Sequence, residues 1–357
     1  GLVGSEMCIR DSDKKKRLKS LKTIREFGSN DFKSVLEGLL KKNDKDEFLE
    51  SDSEIRDSAV KALSSIERRQ FFINQIANLF YGMSLGSILL LAALGLAITF
   101  GLMGVINMAH GEMLMIGAYS TFVIQNLFKE YLPSLFDWYL IAAIPTAFLV
   151  SGLVGILMER SVIRHLYGRP LETLLATWGI SLVLIQTVRL IFGAQNVEVA
   201  NPSYLSGGIQ AFNGVVLPFN RIAIIIFVIF VVILVWTLLQ KSSLGLQVRA
   251  VTQNRGMASC VGISTRKIDM YTFGLGSGVA GLGGVALSQV GNVGPELGQL
   301  YIVDSFMVVV LGGVGKIAGT VAGAMGLGVL NKFLEPVAGA VSVSYTHLRA
   351  HETEADL

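Results

Sequence analysis

From Gln70 to Gly111 the chain holds no Asp, Glu, Lys or Arg over forty-two consecutive residues, most of them apolar. A stretch of ~20 apolar residues already matches the hydrocarbon thickness of a bilayer, and comparable stretches recur downstream between short polar breaks. The hydrophobic share of the 357 residues is 52% and the charged share 16%. Soluble domains carry about a quarter charged residues, so the class is membrane protein.

Spans are expected near 76–101, 105–126, 138–158, 173–192, 220–240 and 269–290, followed by a glycine-broken apolar region at 303–334. Lys and Arg in short loops mark the cytoplasmic side. Arg160, Arg164 and Arg169 follow the third span, and Lys241, Arg249, Arg255, Arg266 and Lys267 follow the fifth. The alternate loops, 127–137, 193–219 and 291–302, are nearly free of basic residues and face the other side. Parity then puts the N-terminal segment outside the cytoplasm, since long domains translocate regardless of charge.

That segment, residues 13–69, is charged and helical in its periodicity: Leu18, Leu21 and Ile24, then Val35, Leu36, Leu39 and Leu40, then Val60, Leu63 and Ile66 recur on common faces. The stretch DSEIRDSAVKALSSI is similar to one helix of a HEAT-type repeat. The expected fold class is all-α, a polytopic transmembrane helical bundle with a short N-terminal HEAT-like segment. Four divisions follow: 1–12, the extracytoplasmic helical segment 13–69, a transmembrane domain 70–341, and 342–357. The two end segments, GLVGSEMCIRDS and SVSYTHLRAHETEADL, resemble translated sequencing-adapter read-through and are set aside from fold reasoning, with truncation expected beside both. Without Cys8, His347 and His351 there remain one cysteine, Cys260, and two histidines, His110 and His165. Neither a disulfide framework nor a metal cluster is expected, and no cofactor.

Two glycine motifs mislead. Gly276, Gly278 and Gly281 fit G-x-G-x-x-G but follow no strand, and Gly312–Lys316 mimics a P-loop while lacking its first glycine at Val310 and its Ser/Thr at Ile317. Any ATPase is therefore expected to be a separate chain, and this chain is expected not to be an enzyme. The glycine pairs Gly274/Gly278 and Gly319/Gly323 have the spacing of close helix packing. Glu112 is the only formally charged residue between Arg69 and Lys129, and an intramembrane carboxylate is a functional candidate. Asn107 is placed to cap a helix beginning at Met108, with Glu112 in its early turns and His110 able to bond it. The segment LGLQVRAVTQNRGMASCVGISTRK interleaves Leu246, Val248, Val251, Met257 and Val261 with arginines. It fits a docking helix for a cytosolic partner or an interfacial helix on anionic lipid.

Three separated segments, GLAITFGLMGVINMAHGEMLMIGAY (95–119), GLQVRAVTQNRGMASCVGI (245–263) and VLGGVGKIAGTVAGA (310–324), resemble the LivH-type permeases of branched-chain amino acid importers. The wording of INMAHGEM and of LLATWGISLVLIQ, and the helical segment ahead of the first span, are similar to the urea-type permease of that family. The resemblance implies a bacterial inner-membrane protein that pairs with a second homologous permease, two cytosolic ABC ATPases and a periplasmic solute-binding protein, with no nucleic-acid partner. It implies ATPase docking through Leu246, Arg249, Val251, Asn254, Arg255 and Met257, and a substrate pathway beside Asn107, His110, Glu112, Thr177 and Trp178. Urea is the solute it points to, with a branched-chain amino acid as alternative and a passive urea channel as rival.

Overall fold

A computed structural model describes residues 13–338 apart from 29, 42–47, 49, 51, 213 and 214. The adapter-like ends, with Cys8, His347 and His351, and residues 339–341 of the expected membrane domain lie outside the described residues. The chain separates into two compact units, one reaching to Asn78 and including Gly208–Leu217, the other comprising Leu79–Gly207 and the chain from Pro218 onward.

The first unit holds α1 (Lys14–Phe27), α2 (Lys33–Leu39), the opening of α3 (Ser53–Met103) and a two-stranded hairpin, β1 (Gly208–Phe212) and β2 (Val215–Pro218). Asp13 starts α1 by accepting the Lys15 N–H. The core is built from Leu21, Ile24, Leu36, Ile55, Ala59, Ala62 and Ile66. Val60, expected on the buried stripe, is instead 51% exposed, because the face turned inward is the Ile55, Ala59, Ala62, Ile66 register at helical spacing. The helix expected at 52–66 and the first expected span are one element: α3 runs 51 residues without a break, and no proline interrupts it.

The second unit continues α3 and adds α4 (His110–Tyr131), α5 (Tyr139–Ser161), α6 (Pro170–Phe192), α7 (Phe219–Lys241), α8 (Ser243–Gln253), α9 (Arg255–Cys260), α10 (Thr265–Ser288), α11 (Leu297–Gly312) and α12 (Ile317–Ala338). Among the described residues six helices are long and apolar enough to cross a membrane: Ser53–Met103, Pro133–His165, Pro170–Phe192, Phe219–Lys241, Thr265–Ser288 and Ile317–Glu335. The molecule is an all-α, multi-pass membrane bundle. Helix α4, expected as a span, is not among the six by hydropathy, yet its 22 residues reach ~33 Å at 1.5 Å per residue. Its polar composition follows from its neighbours, since His110–Met115 and Gly117–Tyr119 are buried against protein. By contrast α6 buries only Thr173, Thr177, Ser181, Ile185 and Val188, one stripe of a helix whose other faces are apolar and outward, as lipid or a partner subunit requires.

Glycine lets α4 reach the centre of the bundle. A Cβ on Gly284 would stand 2.0 Å from the Leu114 carbonyl oxygen, one on Gly117 would stand 2.1 Å from that of Gly281, and one on Gly111 would stand 2.3 Å from that of Gly298. Gly276, Gly278 and Gly281 thus lie inside α10 and serve helix contact with Gly95, Phe148 and Ala147. The glycine-broken region resolves into α11 and α12, separated by Gly313 and Gly315 at φ 84° and 79°, conformations that glycine adopts without strain.

Candidate functional site

The chain turns from α3 into α4 through Asn107. Its Oδ1 accepts the Ala109 N–H at 3.1 Å and its carbonyl accepts the His110 N–H at 3.3 Å. The helix begins at His110, two residues later than expected, because Asn107 forms a turn leading into the helix rather than capping at Met108. Glu112 lies in the first turn, where unpaired N–H groups and the helix dipole favour a carboxylate. It is 1% exposed. Ser181 on α6 donates its hydroxyl to Glu112 Oε1 at 2.9 Å, and Oε2 has no partner among the described residues.

His110 is turned to α3 rather than to Glu112. Its Nε2 lies 3.0 Å from the Ala92 carbonyl, which can only accept, so Nε2 carries the proton and Nδ1 is an acceptor. That Nδ1 has no partner among the described residues. The ring fits because position 95 is glycine, where a Cβ would come within 2.9 Å of His110 Cε1. Thr177 joins the site from α6, accepting the Met108 N–H at 3.1 Å while donating to the Thr173 carbonyl at 2.9 Å.

Trp178 does not join it. The indole is 52% exposed, since adjacent helical positions point ~100° apart and Thr177 takes the inward direction. Ser181, absent from the sequence reading, takes its place. Its signal is the four-residue spacing of Thr173, Thr177 and Ser181 on an otherwise apolar helix, which aligns three hydroxyls on one face. Arg189, near the C-terminal end of α6, is in contact with Glu296 in an ion pair.

The site therefore carries Glu112 Oε2, His110 Nδ1 and Asn107 Nδ2 as buried polar atoms without partners among the described residues. Each such atom costs ~1–3 kcal/mol, and buried polar groups are ordinarily satisfied by protein or water. All three side chains are buried and lie within six residues of chain at the start of α4.

The basic segment after α7 folds as α8 and α9, and the two helices sort its residues. Val248, Val251, Ala258 and Ile268 form a small core of their own, so Val251 faces the protein rather than a partner. Asn254 caps α9 by accepting the Met257 N–H at 2.9 Å. Arg249 donates to the Leu239 carbonyl at the end of α7. Arg255 is paired with Asp269, which is buried, and its guanidinium lies 4.6 Å over the Tyr167 ring. Both arginines, expected to face an ATPase, thus have work within the fold. Leu246, Met257 and Val261 remain outward, at 62%, 63% and 72% exposure.

A family model described as the permease component of the branched-chain amino acid transport system matches residues 78–349. The chain belongs to this permease family. The permease is 31% identical over 274 residues to the high-affinity branched-chain amino acid transport system permease protein BraD of Pseudomonas aeruginosa, covering 75% of this chain and 88% of that protein. It is 32% identical over 271 residues to LivH of Salmonella typhimurium, covering 74% and 86%. Against the probable LivH of Methanocaldococcus jannaschii it is 29% identical over 256 residues, covering 68% and 76%. No solved structure matches the permease. Both the start of α4 and the α8–α9 segment fall inside the family match.

Proposed function

We propose that this permease forms the translocation pathway of an ATP-driven importer. It works beside a second, related permease, with two cytosolic ATPases and an extracytoplasmic solute-binding protein. The family match across 78–349 is the observation that carries this reading. Docking of the loaded binding protein and closure of the ATPases rock the two permeases between outward-open and inward-open states. Exposed Leu246, Met257 and Val261 meet an apolar groove of the ATPase, and the start of α4 lies beside the pathway, where Glu112, His110 and Asn107 contact the passing solute. Loop charge places the N-terminal unit outside the cytoplasm.

For the solute, the names of the relatives favour a branched-chain amino acid. A second reading, urea, rests on the INMAHGEM and LLATWGISLVLIQ wording and on the N-terminal unit. BraD has 88% of its length covered by 274 matched residues, which leaves about 37 residues outside the match, against the 77 that precede residue 78 here. The helical unit is therefore an addition relative to that amino acid permease. The experiment is uptake by the reassembled complex in proteoliposomes loaded with ATP, given labelled leucine and labelled urea in parallel. Uptake of leucine alone establishes the first reading and uptake of urea alone the second. Uptake of neither, by a complex whose ATPases hydrolyse ATP, refutes both.

A further inference from the structure

The N-terminal unit carries a surface cavity of about 410 Å³ lined by Arg25, Lys61, Arg68 and Arg69, with Ser64, Ser65 and Phe72. No acidic residue lines it. Arg69 is committed to the fold: it donates to the carbonyls of Arg25, Glu26 and Gly28 at 3.1, 2.7 and 3.1 Å, closing the end of α1 onto α3. That contact brings Arg25 to Lys61 and Arg68. The side chains of these three form no ion pair or hydrogen bond among the described residues. Other cations of the unit do, Lys14 with Asp52 and Glu54, Arg17 with Glu50, and Lys33 with Glu37 and Glu67. The serine hydroxyls already donate to the Lys61 carbonyl, so the free donors of the cavity are the three cations.

Its height along α3 is the second observation. Arg68 precedes Phe72 by one turn, ~6 Å of rise, and no charged residue follows Arg69 until Glu112. Phe71 and Phe72 are 59% and 60% exposed, so apolar surface begins directly after the cations. Unneutralised cations therefore stand one turn before the uncharged, apolar part of α3. A soluble anion needs only the first feature, whereas a phospholipid uses both.

We propose that this cavity binds the headgroup of an acidic phospholipid, its phosphate held by Arg25, Lys61 and Arg68 and its acyl chains lying along α3 past Phe72. Basic residues beside an anionic lipid surface each contribute about fivefold in affinity. Removing two of the three should weaken binding about thirtyfold. The full chain in uncharged detergent is titrated with short-chain phosphatidylglycerol, phosphatidylcholine and inorganic phosphate, with binding read by phosphorus NMR. The same titrations are run on a Lys61→Gln/Arg68→Gln variant, whose exposed substitutions leave the core of the unit intact. Saturable binding of phosphatidylglycerol, at least tenfold tighter than either other probe and lost by the variant, is the expected result. Equal affinity of variant and wild type overturns the proposal, as does equal affinity for phosphatidylcholine. Inorganic phosphate binding as tightly as phosphatidylglycerol also overturns it, because the cavity then reads a free anion and not a lipid.

Discussion

Replacing Ser181 by Ala removes the one hydroxyl that donates to Glu112 Oε1, at 2.9 Å in a site where Glu112 is 1% exposed. Its other oxygen already lacks a partner among the described residues, so the variant leaves a buried carboxyl without a side-chain donor. A hydrogen bond to a charged group contributes ~1.5–3 kcal/mol, and one between neutral groups ~1 kcal/mol. Ser181→Ala should therefore lower stability by about 1–3 kcal/mol, with the larger loss if Glu112 is ionised. Glu112→Gln keeps an oxygen to accept the serine hydroxyl and removes the buried charge, so it should cost less than Ser181→Ala. On the Glu112→Gln background Ser181→Ala removes only a bond between neutral groups, so the losses in the double variant should fall short of additive by about 0.5–2 kcal/mol. The assay is unfolding of the three variants and the parent in one detergent, arranged as a double-mutant cycle. Additivity within ~0.5 kcal/mol would show that the two side chains are not coupled and that Ser181 does not hold Glu112.

Four other outcomes follow from the same geometry. Gly284→Ala forces a methyl to within 2.0 Å of the Leu114 oxygen and should cost ~1–3 kcal/mol or more, while Gly326→Ala, with nothing within 4 Å, should be neutral or slightly stabilising in the same thermal scan. Arg255→Ala strands buried Asp269 and should cost about 2 kcal/mol, below the value for a fully buried pair because the guanidinium is half-exposed; adding Asp269→Asn should restore most of the loss. Leu246→Asp or Met257→Asp should weaken ATPase co-purification at least tenfold at unchanged melting temperature, whereas Val251→Asp should lower the melting temperature itself, because only Val251 is buried. In the N-terminal unit, Arg17 holds the Glu50 carboxyl below its usual range and Lys14 does the same for Asp52. Both titrate lower folded than unfolded, so their contribution is present above the ordinary carboxylate range and lost as pH falls from that range through the lowered folded values; protection factors in 14–39, corrected for the intrinsic exchange rate, should fall over that window, and pH-independent protection would refute the ion pairs.

The helices were legible because hydropathy runs and basic loops record the membrane directly, and seven of the expected segments find helices in the structure. The errors have physical causes. Periodicity found the buried face of 52–66 only approximately, because alanines at 59 and 62 form the stripe and carry a weaker hydropathy signal than Val60. The start of α4 was readable from Asn107 and Glu112, but Trp178 drew attention by size while Ser181, small and one turn further, makes the contact. Arg249 and Arg255 are exposed, as surface charges are, but sequence does not show that a carbonyl at the end of α7 and a buried Asp269 also pair with them. The adapter-like reading of 342–357 stands beside a family match that extends to residue 349.

As part of an ATP-driven importer, this permease must move solute against a gradient at the expense of ATP. Proteoliposomes holding the reassembled complex are supplied with loaded binding protein, and internal and external solute are followed with ATP or a non-hydrolysable analogue on the ATPase side. Solute should accumulate inside to well above the external concentration with ATP and not at all with the analogue. Equilibration to equal concentrations on both sides, at the same rate with either nucleotide, would contradict that expectation and make the chain a passive channel.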